Sequence, residues 1–263
     1  MGDLFQIVDD YRNIEVDIPN RVFKYRNWHD KYERKVLTDT ELYLSSPGRF
    51  DDTMDCNLEE QFPRGKDLYN LFIEDCKKRY PSKNRDERRK YANYWSRHSP
   101  LANKEERDKL LKEIKNKRDK TFGVLSLTLR NDNDYLWERY GDKHRGFCVG
   151  FDTQKLIQHG KFGCGGFVQY FDRLPIIDFL HDSLDDKLCK NIFSKKREPY
   201  SQEEEYRLTK KWDHDVDDQE RVVVIPVDCI SQIIVGKDAS IEDRTEILEI
   251  QRNLYPYAEF IQL

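Results

Sequence analysis

Between Asp67 and Lys120 glycine all but disappears, Lys, Arg and Glu dominate, and Leu101, Leu110, Leu111 and Ile114 supply only a thin apolar stripe. Such a stretch buries too little apolar surface to offset the entropy of ordering a core of its own. The pattern predicts a helical insertion over residues 67–120, a hairpin broken at Ser99-Pro100. The rest of a single domain over residues 1–263 must then supply the core. Hydrophobic and charged residues each make up 37% of the chain, but aromatics reach 13%, and each buried ring removes a large apolar area from water. A folded core under a wide polar surface is expected.

The net charge of -4 argues against a chain-wide nucleic-acid or membrane binder. Its distribution is uneven: from Cys76 to Lys120 there are 17 Lys and Arg against 7 Asp and Glu, so the remainder is strongly acidic. Six cysteines lie far apart with no C-x-x-C pair, which predicts reduced, mostly buried thiols rather than a zinc site or a disulfide frame. No apolar signal core opens the chain and no run reaches membrane-spanning length, so a cytoplasmic protein without a membrane partner is expected.

Strands are predicted at Val22–Arg26, Glu41–Ser45, Phe122–Thr128, Gly146–Phe151, Phe167–Phe171, Tyr206–Thr209, Arg221–Ile225, Ile230–Val235 and Ala258–Leu263. Helices are predicted at Lys31–Leu37, Tyr135–Tyr140, Ile176–Phe193 and Ile241–Leu254. They interleave without the regular beat of a doubly wound fold, so the class is α+β.

The run Ser201-Gln202-Glu203-Glu204-Glu205-Tyr206-Arg207-Leu208 carries the most chemistry. Strand alternation would put Glu203 and Glu205 on one face. Two adjacent carboxylates are costly without a positive partner. A sugar cation, a metal, or only Arg207 and water could fill that role.

Leu136-Trp137-Glu138-Arg139-Tyr140-Gly141-Asp142-Lys143-His144-Arg145-Gly146-Phe147-Cys148-Val149-Gly150-Phe151 resembles the L-W-x-x-Y-x-D-x-H-x-G-F-C-x-G-F pattern of a bacterial family, domain-of-unknown-function family 2971. Lys24-Tyr25-Arg26, the loop Leu44–Asp52, Leu125-Ser126-Leu127-Thr128 and Glu203-x-Glu205-Tyr206-Arg207 match further pieces in the family's order. An early arginine, a Ser/Thr strand and a late Glu-x-Glu also resemble the Arg–Ser–Glu signature of ADP-ribosyltransferases. That likeness implies mixed and antiparallel sheets with helices, and NAD as substrate. It implies Arg26 on the NAD phosphates or ribose, Ser126 orienting the glutamate, Glu205 as catalytic carboxylate and Glu203 activating an acceptor. A bacterial toxin or phage-defence setting is implied in the same way.

The chemistry suits these residue types. Breaking the nicotinamide–ribose bond develops oxocarbenium-like charge, which a carboxylate stabilises. Arginine forks onto pyrophosphate, and aromatic faces hold the nicotinamide, with Tyr25, Tyr140 and Tyr206 as candidates. Thr128 joins Ser126 on the cofactor-binding strand, and His144 is a further acid–base candidate. Each has a plainer reading: Glu203–Glu205 as a solvated edge, Arg26 stacked on a ring, Ser126 and Thr128 as strand formers, Tyr140 as core, and His144 as a helix-end cap. Clustered Asp51, Asp52 and Asp55 would suit Mg²⁺ and a metal-dependent nuclease, although no Asp…Glu-x-Lys spacing appears. A third reading is a non-enzymatic partner-binding module. The insertion, residues 76–120, would meet a nucleic-acid or protein acceptor, or would be a solvated helical pair.

Overall fold

The structure, a computed structural model, describes residues 18–263. Its strands are β1 (Arg21–Arg26), β2 (Glu41–Tyr43), β3 (Glu60–Gln61), β4 (Phe122–Thr128), β5 (Phe147–Asp152), β6 (Cys164–Phe167), β7 (Gln169–Phe171), β8 (Ile177–Asp178), β9 (Ser194–Lys196), β10 (Glu205–Lys211), β11 (Val222–Val224), β12 (Ile230–Val235) and β13 (Glu259–Gln262). Seven form one mixed sheet in the order β13-β12-β5-β1-β4-β10-β6, in which only β12 and β13 pair in parallel. Strands β2 and β11, β3 and β8, and β7 and β9 make three two-stranded sheets. With eight helices beside them among the described residues the fold is α+β, as the irregular interleaving predicts.

The helices are α1 (Lys35–Thr38), α2 (Gly65–Arg79), α3 (Arg85–His98), α4 (Lys104–Thr121), α5 (Asp134–Tyr140), α6 (Thr153–Gly160), α7 (Leu184–Phe193) and α8 (Ile241–Leu254). The insertion is therefore three helices over residues 65–121, not a two-helix hairpin. One break falls at Ser99-Pro100 as expected. The other falls at Tyr80-Pro81, after which Asn84 and Glu87 close a capping box that restarts the chain as α3. Helix α4 runs straight into β4 and is tied to the body: the Ser46 hydroxyl donates to the Asp119 carbonyl at 2.8 Å, and Asp215 accepts from both Lys117 and Lys120.

Two further expectations are corrected. Phe167–Phe171 is not one strand, because Val168 turns inward, its N–H donating to the Glu205 carbonyl. The chain so leaves β10 and pairs with β9 instead. Helix α7 begins at Leu184 rather than at Ile176: Ser183 and Asp186 cap each other there, while Ile177–Asp178 pairs in parallel with β3.

One face of the large sheet carries the main core, in which Leu125, Leu127, Val149, Phe151, Tyr206, Leu208 and Ile233 meet Leu156 of α6 and Ile247 of α8. The other face carries two small apolar clusters. Phe23, Tyr25 and Cys148 pack with Leu136 and Trp137 of α5, and Phe122 and Val124 pack with Ile192 of α7. Between them lies a polar island. Register puts Ser126 opposite Arg207 and Thr128 opposite Glu205, and opposed residues share a face.

The sheet is also split. Strand β1 pairs with β5 along its whole length but with β4 only at Phe23↔Thr128. Beyond that point β1 and β4 diverge, and a cavity of about 930 Å³ occupies the gap.

Candidate active site

The cavity draws its wall from Lys24, Tyr25 and Arg26 on β1, Ser126 and Thr128 on β4, and Glu205 and Arg207 on β10. Strand β9 adds Lys195, the turn before β10 adds Glu203, and α5 adds Tyr140. Seven of the nine residues singled out from the sequence for the NAD site (Arg26, Tyr25, Ser126, Thr128, Tyr140, Glu203 and Glu205) thus meet one space. They reach it from two sides. Alternation along β1 puts Lys24 and Arg26 on the side opposite Tyr25, so the cavity passes through the gap in the sheet rather than lying on one face.

At its floor five charged side chains are buried together: Asp55, Lys195, Glu203, Glu205 and Arg207. Both Glu205 oxygens accept from Arg207, at 2.8 Å from Nε and 3.0 Å from Nη2. The other edge of the guanidinium donates to both Asp55 oxygens at 2.7 Å, and Nη1 also reaches the Ile192 carbonyl at 2.6 Å. Lys195 stands between the carboxylates, 2.7 Å from Glu203 and 3.2 Å from Glu205, with Asp55 at 3.6 Å. Three carboxylates face two cations, so the floor carries one net negative charge.

Burial by itself would raise the pKa of Glu205, but Arg207 and Lys195 outweigh it, with a hydrogen bond from Ser126, and hold the carboxyl at about 2. Burial works against the Lys195 ammonium too, and there Glu205, Glu203 and Asp55 prevail and raise its pKa. Both groups stay charged across the neutral range.

Glu203 does not reach this floor by strand alternation. Residues 200–203 form a short 3₁₀ turn and Glu204 is left-handed, with φ of 42°, so the chain kinks between the two glutamates. Glu205 has its acceptor sites filled by Arg207, Lys195 and Ser126. Among the described residues Glu203 accepts only from Lys195 and from the Tyr140 hydroxyl at 3.0 Å, with Arg139 at 3.9 Å. Of the two glutamates it is the one with lone pairs to spare.

On the far side, the Lys24 ammonium crosses the gap to the Ser126 carbonyl at 2.6 Å. Burial, then the neighbouring Arg26, lower its pKa well below the usual lysine value. Arg26 itself meets Glu33 at 3.5 Å. It ends β1 where Gly146 packs closely: a Cβ at Gly146 would collide with the Arg26 carbonyl.

The remaining candidates sit differently. Tyr25 lines the cavity, but its hydroxyl is committed, donating to the Arg130 carbonyl at 2.9 Å and accepting from the Asn133 N–H at 3.2 Å. The Thr128 hydroxyl accepts from the Arg130 N–H. Tyr206 belongs to the main core, edge-on to Phe167. His144 does not line the cavity. It stacks on Trp137 in a left-handed turn with φ of 62°, 3.6 Å from Asp134. Asp55, a metal ligand only on the alternative nuclease reading, is an ion-pair partner of Arg207. Among the described residues no group of three or more His, Cys, Asp or Glu is placed to hold a metal ion.

Lys195, Asp55 and Lys24 carry much of the electrostatics and were not assigned these roles from the sequence. The one usable signal was the cost of the Glu pair itself, which requires a buried cation from elsewhere in the chain.

The fold and site define an α+β protein whose split sheet encloses a cavity floored by a buried carboxylate–cation cluster. Residues 136–208, which contribute Tyr140, Lys195, Glu203, Glu205 and Arg207, match the model of the family described as Protein of unknown function (DUF2971). No curated protein and no solved structure gives a match. None of the six cysteines is in a disulfide, and no described helix is long and apolar enough to cross a membrane.

Proposed function

We propose that the protein is an ADP-ribosyltransferase-like enzyme that cleaves NAD at the nicotinamide–ribose bond. The observation that carries this reading is the convergence of Arg26, Ser126, Glu205 and Glu203 on one through-sheet cavity, from three separate segments of chain. Its floor sets three carboxylates against two cations, with Glu205 held ionised, as a developing ribosyl cation requires. Its opposite side offers the Arg26 guanidinium, a fork suited to the pyrophosphate. Glu205, fixed by Arg207, Lys195 and Ser126, supplies a permanent negative charge beneath the ribose. Glu203 has free lone pairs to take a ribose hydroxyl or to activate the acceptor, with Tyr140 orienting it. ADP-ribose then passes to water or to a nucleic-acid or protein acceptor.

The test is nicotinamide release from NAD by the purified protein, alone and with RNA, DNA or protein acceptors. Glu205→Gln and Glu203→Gln should each lower the rate at least about 100-fold, the usual loss when one electrostatic group is removed from a transition state. Arg26→Ala should act mainly on KM. Failure of the folded wild-type protein to bind or consume NAD under any of these conditions would end the proposal.

A further inference from the structure

Helix α3 has a face that nothing in the fold uses. Its inward side, with Ala92 buried and Tyr91 donating to Asp75 at 2.7 Å, packs against α2. The outward side shows Lys90, Tyr94, Arg97 and His98, flanked by Arg89, all exposed. The helix has carboxylates only in its first turn. Glu87 is spent on the capping box, and Asp86 lies 3.7 Å from Arg89. From Arg88 to His98 no acidic residue appears, and among the described residues Lys90 and Arg97 form no ion pair.

The aromatic groups on this face are pre-ordered. Tyr94 and His98 stack with ring centroids 4.4 Å apart and planes 15° from parallel, and the His98 ring bonds the Tyr94 carbonyl at 2.7 Å. Trp95 braces Tyr94 edge-on at 5.3 Å. Tyr94 nevertheless remains 55% exposed. Lys90 and Arg97 lie seven residues apart on the same stripe, about 10 Å along the axis, with Tyr94 between them.

We propose that this face of α3 binds single-stranded nucleic acid, with a base stacked on Tyr94 and the flanking phosphates on Lys90, Arg97 and Arg89. A cation–aromatic–cation stripe matches the alternation of phosphate and base in a single strand. An acidic peptide would be met by the cations alone and would leave the rings idle. The inference stands apart from the NAD reading, since it uses no cavity residue.

The test is fluorescence anisotropy of a labelled oligothymidylate of about 20 nucleotides, a length that covers typical single-strand sites, with the full-length protein. Binding should weaken with salt at a log–log slope near about -2, as about three phosphate contacts on a single strand predict. Tyr94→Ala should cost about tenfold in affinity, as loss of one stacked base does, and Tyr94→Phe should keep it. The combined Arg89→Ala, Lys90→Ala and Arg97→Ala variant should flatten the salt slope. The proposal is overturned if the wild type does not bind at 50 mM salt, or if Tyr94→Ala binds like the wild type. It is also overturned if a duplex binds equally well, or if polyglutamate of similar length competes as strongly as unlabelled oligothymidylate.

Discussion

Arg207 and Arg89 carry the same guanidinium into opposite circumstances. The Arg207 side chain is 1% exposed and forks onto two carboxylates, 2.7 to 3.0 Å away. That of Arg89 is 50% exposed and lies 3.7 Å from its nearest acidic partner. In water an ion pair gains little, because both charges were already well solvated. Out of water the same pair has no substitute, and losing one member leaves the other stranded. Composition treats the two regions alike. Burial makes the cavity floor a rigid device and leaves the insertion a surface.

This contrast can be broken in three places. Arg207→Ala would strand both Asp55 and Glu205 and should destabilise the protein by about 3–5 kcal/mol, measured by urea unfolding. A loss under about 1 kcal/mol would show that the floor is solvated after all.

Acid unfolding should report the same floor. The Glu205 carboxyl titrates near 4.5 when unconstrained and near 2 in the fold. Between those values the unfolded chain binds a proton that the native state refuses, so stability must fall as pH falls through the window. The contribution is about 3 kcal/mol, complete above pH 4.5 and gone below 2. Glu205→Gln should remove it, and a variant with an unchanged acid limb would contradict the ionised carboxylate.

On the insertion the expected effect is smallest. Lys77→Ala removes a pair with Glu74 at 2.7 Å, yet the melting temperature should move by no more than about 2 °C. A larger shift would place that helix face against something other than water.

Where local chemistry decides structure, the sequence was legible. Helix α8 begins after Ser240, whose side chain accepts from the Asp243 N–H, and it ends at Leu254, the range its pattern predicts. Strand β4 follows its Ser/Thr alternation over Phe122–Thr128. The meeting of Arg26, Ser126 and Glu205 came from family order, not from spacing, since three strands converge only through the sheet. Lys195 and Asp55 were not legible in these roles. Asp55 sits 152 positions from Arg207, and an aspartate in an acidic loop looks the same whether it will face water, a cation or a buried guanidinium. His144 had a suggestive neighbourhood, but its conformation is set by the turn it occupies and by Trp137 beneath it.

The single rung Phe23↔Thr128 between β1 and β4 has a mechanical consequence. On either side of it the sheet is fully laddered, β13-β12-β5-β1 on one side and β4-β10-β6 on the other. A pivot of these two plates there breaks a single rung of backbone pairing and strains the Lys24–Ser126 and Tyr25–Arg130 hydrogen bonds across the joint, while the ladders on either side stay intact. The two candidate ligand-binding edges, Lys24–Arg26 and Ser126–Glu205, ride on different plates. A ligand bridging them would act as a clasp across the joint, setting the angle between the plates and slowing amide exchange along the facing edges of β1 and β4.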